Sequence, residues 1–281
     1  MVKGRLSTAG VIRNREKKAT EIAAAGIAAY LKDRGVSCFV SEDGKDLPEG
    51  IDCVFVLGGD GTMLRAAGVL LNRQLPLIGI NFGNLGYLAE IGAGHMYEAI
   101  DRILAGDYEI EKRMMLRGRI QRADGTTEGD TALNEIMLRR EGPLRSYRIV
   151  NYVNESYLNS YSADGIILST ATGSTGYNLS AGGPIVSPPA EVILMTPLAP
   201  HSLISRSIIL SGSDTICTKI GEGSTGYEPC AVTVSFDGRK GIPLGTGDSI
   251  EVSRSPSYTN IMKLSHVSFL EVLRNKMAGG L

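Results

Sequence analysis

An aspartate set among glycines, Gly58-Gly59-Asp60-Gly61-Thr62, stands between the apolar run VFVL and the residues MLRAA, which have helical spacing. Glycines where a strand ends let the backbone turn tightly and approach a ligand closely. A helix that starts there points free N–H groups and its dipole at an anion, an arrangement suited to phosphate. Asp60 does not belong in a pure anion cradle, because a carboxylate repels phosphate. It fits a site that holds a metal ion or takes a proton from a hydroxyl; a helix cap in a glycine turn would look the same. A second turn, in PLIGINFGNLGYLAEI, puts Gly83 and Gly86 after another apolar run. Two such turns at the ends of neighbouring parallel strands would face one crevice, so a site is expected there.

The pentapeptide GSTGY occurs at 173–177 and again at 223–227, where it completes a G-x-G-x-x-G from Gly221 to Gly226. In a dinucleotide fold that turn opens a helix. Here Pro229 follows three residues after Gly226, and a proline stops helix propagation. The flanking runs TICTKI and AVTVSF read as strands, so the second copy is expected to be a surface hairpin loop and not a phosphate site. The first copy lies between the strand-like GIILST and the small residues NLSAGGP, which let a flat base approach. Thr175 and Tyr177 then offer a hydroxyl and a ring to a ligand. No G-x-x-x-x-G-K-[ST] is present, so a Walker-type fold has no support.

The elements that must position these residues change character along the chain. Up to about residue 110, strand-like runs (RLSTAGVI, VSCFV, DCVFVL, LPLIGI) alternate with helical spacing in REKKATEIAAAGIAAYLKDRG, GTMLRAAGVLLNR and HMYEAIDRILAGDY. That alternation predicts a parallel sheet with covering helices. Beyond it come short β-type runs divided by Gly, Pro, Ser and Asn, which predict antiparallel sheets. The expected domains are 1–110 (α/β) and 111–261 (β-rich), with a helix at 262–278 that packs back on the first.

The chain has 281 residues, 43% of them hydrophobic, enough for one large core or two smaller ones. A formal net charge of −1 gives no bulk attraction to nucleic acid or to an anionic membrane. The opening MVKGRLSTAG has no secretory apolar core, and the run at 22–31 is too short to span a bilayer, so a cytoplasmic protein is expected. Cys38, Cys53, Cys217 and Cys230 lie far apart, as do His95, His201 and His266. Neither a disulfide framework nor dedicated side-chain metal ligands are expected from that spacing.

Taken in order, GGDGT, INFGNLGYL, LNEIML, DGIILSTATGSTGYNLSAGGPIVSP and PLAPHSL make the chain resemble the NAD kinases, over about residues 50–240. The resemblance implies a Rossmann-like N-terminal α/β domain followed by a β-rich C-terminal NAD-binding domain. It implies transfer of a terminal phosphoryl group from ATP or polyphosphate to the adenosine ribose 2′-hydroxyl of NAD, giving NADP. Mg²⁺ or another divalent cation, and a homodimer or homotetramer, come with it.

Residue by residue, Asp60 matches the family's base, with Gly61 beside it, and Arg65 matches a nucleotide contact. Asn134 and Glu135 match a pair that grips NAD, and Asp164 matches the aspartate of a DG step. Thr172, Thr175, Gly176, Tyr177, Asn178, Leu179 and Ser180 fall in the stretch that lines the adenosine, and Arg145 and Ala199 at further contact positions. Gly58, Gly59, Gly61 and Thr62 would form the turn that meets the phosphate donor. The chain departs from the family at Ala171, often Pro, at Gly176, often Ala, at Ser162, often Arg, and at Arg239, often Gln. Arg239 is expected to reach a ligand phosphate in the glutamine's place.

The chemistry agrees with those assignments. A ribose hydroxyl is a poor acid, and phosphoryl transfer runs through a loose transition state, so Asp60 would orient the hydroxyl and take its proton late. Two readings from other classes share some of these features: a lipid or sugar kinase with only the glycine–aspartate turn in common, and a non-catalytic NAD(H) sensor. The duplicated pentapeptide supplies an internal control. Tyr177→Ala should raise KM for NAD about tenfold, because a stacking partner for a base contributes on the order of 1–3 kcal/mol. Tyr227→Ala should leave KM and kcat within about twofold, as a change away from any ligand does. Steady-state kinetics on both variants check this, and a loss falling on Tyr227 instead would reverse the assignment.

Overall fold

Two stretches of the first half, CVFVLG and LIGIN, are apolar without alternation, as strands buried on both faces must be. They sit in the middle of a parallel sheet. The structure, a computed structural model, describes residues 6–83, 86–89, 91–141, 147–202, 205–221, 232–264 and 268–278. The chain divides into two units, one running to Arg113 and resuming at Ser257, the other spanning Met114–Pro256.

In the first unit, β1 (Thr8–Arg13), β2 (Ser37–Ser41), β3 (Cys53–Gly58) and β4 (Leu77–Asn81) pair in parallel in the order β2-β1-β3-β4, and β5 (Ile91–Gly92) extends β4. The helices are α1 (Lys18–Lys32), α2 (Asp60–Val69) and α3 (Met96–Leu104). Ala23, Ala24, Ile27 and Leu31 form one stripe of α1, and with Ile100 and Ile103 of α3 they pack on Val11, Phe55, Ile78 and Ile80 of the sheet. Gly35, just past the end of α1, has φ +77°, the left-handed stop that its position in the sequence predicts.

The second unit is two antiparallel sheets. One has the order β13-β12-β11-β8-β15-β16, from β8 (Glu135–Arg140), β11 (Gly165–Thr170), β12 (Val192–Leu198), β13 (Ile208–Ser211), β15 (Val232–Phe236) and β16 (Ile242–Leu244). The other contains β9 (Tyr147–Val153), β10 (Ser156–Ala163), β14 (Ile216–Ile220) and the start of β17 (Ser249–Lys263); β6 (Glu109–Gln121) pairs with β7 (Thr127–Ala132). Ile136, Leu138, Ile166, Leu168, Val232 and Phe236 of the first sheet meet Ile149, Ile216, Ile250 and Val252 of the second in one core, the construction of a sandwich. A four-residue helix, α4 (Tyr177–Ser180), follows β11, and α5 (Phe269–Met277) belongs with the first unit.

One strand lies outside the runs singled out in the sequence, and one expectation is corrected. β17 runs for fifteen residues through the polar sequence SIEVSRSPSYTNIMK with its internal Pro256. Burial explains it: Ile250 and Val252 fill core positions, and Ile261 near the far end pairs with Leu77. The second GSTGY is not the loop of a hairpin. β14 pairs with β9 and β17, whereas β15 pairs with β8 and β16, so the connection between them passes from one sheet to the other. Residues 222–231 themselves lie outside the described residues.

Candidate active site

The glycine–aspartate turn joins the buried end of β3 to α2, with Gly59 as the helix cap. The amides of Thr62 and Met63 return to Gly59 O at 2.9 and 3.2 Å. The amides of Asp60 and Gly61 are the donors left at the helix start. Asp60 does not cap its own helix. Its carboxylate reaches the turn after β4, where Oδ2 accepts the amide of Tyr87 at 2.8 Å and Oδ1 those of Leu88 at 3.0 Å and Ala89 at 3.2 Å. The close approach needs Gly86, because a Cβ there would lie 1.9 Å from Asp60 Oδ1. Oδ2, with one amide bound, keeps a lone pair for a hydroxyl. Arg65 is exposed on α2, its guanidinium 3.5 Å from Thr62 Oγ1. Tyr87 also carries the contacts of α5, with Phe269 at 6.0 Å between ring centroids and Lys276 Nζ 4.9 Å from the ring.

In the second unit a comparable carboxylate organises the Asn134–Glu135 pair. Asp237 Oδ2 accepts the amide of Leu133 at 2.7 Å, and Oδ1 accepts those of Asn134 at 2.8 Å and Glu135 at 3.1 Å. Asn134 Oδ1 and Glu135 Oε2 are buried with no hydrogen-bond partner among the described residues. Both face Gly176, where a Cβ would lie 3.1 Å from Asn134 Nδ2 and 3.2 Å from Glu135 Oε2. Burial, and then the charge of Asp237, push the Glu135 carboxyl up to about 7. Burial also raises Asp237, against the opposing pull of the three amides and Arg239. A buried acceptor pair that no described residue satisfies is an arrangement for ligand donors.

Beside Gly176, Tyr177 lines a cavity of about 510 Å³ with Arg139, Arg140, Asp164, Ser180 and Ala199. Arg140 Nε donates to Asp164 Oδ1 at 2.7 Å, which fixes the aspartate at the wall. Ala199 has φ +42°, a left-handed backbone that costs a residue with a Cβ about 1–3 kcal/mol and collects at functional sites. Of the residues expected in the adenosine stretch, the cavity gathers Tyr177 and Ser180, together with Asp164 and Ala199.

Others are placed elsewhere. Thr172 is buried, and its carbonyl accepts from Thr175 Oγ1 at 3.3 Å. Leu179 and Ser162 are exposed, Ser162 with its carbonyl bound to His201 N at 2.9 Å. Asn178 is engaged within the unit. It is fully buried, its Nδ2 donates to Ser174 O at 3.3 Å and Pro184 O at 3.2 Å, and its Oδ1 accepts from Thr196 Oγ1 at 2.7 Å. Arg239 is likewise engaged within the unit: Nε bonds Phe236 O at 3.0 Å, Nη1 pairs with Asp130 at 2.6 Å, and Nη2 bonds Thr131 O. Arg145 and the second GSTGY lie outside the described residues.

Sequence reasoning missed Asp237, the amides of 87–89 and the cavity arginines. Only Asp237 left a trace, as the Asp-Gly pair that closes AVTVSFDG. Among the described residues no three of His, Cys, Asp and Glu stand together as a metal cage. No helix there is long and apolar enough to cross a membrane.

A parallel α/β unit with a carboxylate at a strand-to-helix turn, and a β-rich unit with a polar cavity of about 510 Å³, define a class of phosphotransferase scaffold. The family models of the ATP-NAD kinase N-terminal and C-terminal domains match residues 11–108 and 133–264, and the chain belongs to that family. The NAD kinase of Lachnospira eligens is 40% identical, over 95% of this chain and 98% of its own. That of Agathobacter rectalis is 45% identical, over 83% of this chain and 81% of its own. A crystal structure of yeast NADH kinase complexed with NADH superposes with TM-score 0.88 at 25% identity, covering 99% of this chain and 88% of the other. The NAD kinase from Archaeoglobus fulgidus in complex with ATP gives 0.76 at 25% identity, covering 92% and 94%.

Two outcomes follow from this geometry. Gly86→Ala must push the 86–89 turn off Asp60, so kcat should fall by at least about tenfold while the fold survives; kinetics with a thermal melt check it, and unchanged kcat would show that the carboxylate's seating is dispensable. For Glu135, the carboxyl sits at about 7 against 4.5 unperturbed. The folded protein therefore binds this proton more tightly than the unfolded chain, and its stability falls as pH rises from 4.5 through 7. Glu135→Gln removes that loss, so its stability relative to the parent should grow by up to about 3 kcal/mol between pH 4 and pH 8. Urea unfolding at the two pH values measures the gap, and equal differences at both would place the carboxyl in its ordinary range.

Proposed function

We propose that the chain transfers the γ-phosphoryl group of ATP to the adenosine ribose 2′-hydroxyl of NAD, with NADP and ADP as products. The observation that carries this reading is the buried, partnerless pair Asn134 Oδ1 and Glu135 Oε2, beside a wall that includes Tyr177 and Asp164. Asn134 offers both a donor and an acceptor, the combination an adenine or amide edge needs, and ionised Glu135 accepts from a ribose hydroxyl. Tyr177 and Ser180 line the adenosine, with Ala199 and Asp164 on the same wall. Thr175 and Gly176 leave room for the base, and Arg65 contacts the nucleotide from α2.

Asp60 is the base. The hydroxyl oxygen forms a bond to the γ-phosphorus as the bond from that phosphorus to the leaving oxygen of ADP breaks. The hydroxyl proton passes to Asp60 Oδ2 late in that step, and then to solvent. The amides of Asp60 and Gly61, with the glycines around them, receive the donor's phosphate oxygens. Mg²⁺ travels with the triphosphate as part of the donor substrate, since such ions are held mostly by phosphates and one or two carboxylates. We place the enzyme in the cytoplasm as a homodimer or homotetramer, and keep inorganic polyphosphate as a second donor to be assayed.

The test is purified protein with NAD, Mg²⁺ and each donor in turn, followed by a coupled NADP assay. Asp60→Asn should lower kcat by at least about 10²-fold, the range for a general base, with KM for NAD little changed. The variant will also lose stability, because its amide turns a donor toward the amide of Tyr87 or Leu88. Asp60→Ser, which removes the carboxylate without adding a second N–H donor, separates the two effects: both variants should be slow. A normal kcat in either would remove Asp60 from the chemistry.

A further inference from the structure

Asp237 follows β15 in the tetrapeptide Phe236-Asp237-Gly238-Arg239, and it holds a turn that belongs to another strand. Its carboxylate takes three successive amides, of Leu133, Asn134 and Glu135, at 2.7, 2.8 and 3.1 Å. Its own amide returns a bond to Glu135 O at 3.0 Å. The residue is pinned in turn, with φ +49°, in the left-handed region that few residues other than glycine adopt. Arg239 secures that conformation from the far side through Phe236 O, Thr131 O and Asp130. The consequence is visible one bond further out. Asn134 Oδ1 and Glu135 Oε2 stay buried without a hydrogen-bond partner among the described residues, although a free turn would rotate such acceptors to water.

We infer that Asp237 is a positioning residue for the nucleotide: it clamps the Leu133–Glu135 backbone so that the Asn134 and Glu135 side chains face the ligand before it arrives. The inference rests on the reading that this pair binds NAD. A clamp of this kind lowers the ordering cost of binding and leaves the chemistry at Asp60 alone. It therefore belongs to KM for NAD, and not to kcat or to KM for ATP.

Asp237→Asn is the test, because it keeps size and one acceptor oxygen while presenting a donor to at least one of the three amides. KM for NAD should rise about tenfold, with kcat and KM for MgATP within about twofold. A double-mutant cycle with Glu135→Gln separates positioning from plain support of the fold: a residue that acts through Glu135 costs far less once Glu135 is gone. Equal losses in both backgrounds, or an unchanged KM for NAD, would overturn the inference. The wild-type protein gives a check that needs no variant. Hydrogen exchange at the amides of 133–135 should already be slow before NAD is added, and protection that appears only with NAD would also overturn it. Failure of the underlying reading looks different, since the wild-type enzyme would then make no NADP from NAD and MgATP.

Discussion

A carboxylate that accepts three successive backbone amides appears once in each unit among the described residues, and the candidate site residues of each unit depend on it. Asp60 takes the amides of 87–89 and Asp237 those of 133–135. Turns of this kind form no sheet or helix ladder, so their N–H groups need other acceptors. An ionised carboxylate is among the strongest available, and it fixes three peptide planes at once. The two instances work in opposite directions. At Asp60 the amides hold a side chain, the base of the proposed reaction, whereas at Asp237 the side chain holds the backbone from which Asn134 and Glu135 project.

That device explains how much the sequence could disclose. The parallel sheet was legible because CVFVLG and LIGIN are apolar throughout and bounded by glycines and helical spacing. The glycine–aspartate turn was legible because its residue types are local. Asp237 was nearly invisible, since its partners lie about a hundred positions earlier and an Asp-Gly pair reads first as a turn. The surroundings of Asn178 were hidden for the same reason: only the fold reveals that its amide bonds Ser174, Pro184 and Thr196. β17 was hidden by its serines and Pro256, which mask two core residues at alternate positions. Arg239 stands at a position where a family pattern suggested a ligand contact, and an acidic neighbour at Asp130 claims it.

Several unfavourable features stand where the ligand is expected. Ala199 holds a left-handed backbone, the burial of Glu135 disfavours its ionised form, and Asn134 Oδ1 and Glu135 Oε2 have no hydrogen-bond partner among the described residues. The sandwich core of the same unit is apolar, filled mostly by Ile, Leu, Val and Met with Phe236 among them. The core's surplus stability is what permits such a site to persist, and substitutions that relieve the strain would be expected to trade binding for robustness.

The first unit is not one stretch of chain. It runs to Arg113, is interrupted by the whole of the second unit, and resumes at Ser257. Its sheet receives Ile261 against Leu77, and Phe269 and Lys276 of α5 meet Tyr87, whose amide seats Asp60. During translation the residues that make the glycine–aspartate turn leave the ribosome long before their supports do. At roughly 5–20 residues per second, the nascent first unit waits on the order of ten seconds or more for its last strand and helix. The second unit, contiguous in sequence, can close its sandwich in that interval. A chain truncated ahead of Ser257 would thus keep the contiguous second unit whole and lack the segments that complete the unit bearing Asp60, so an unfinished copy would be half folded and half still waiting.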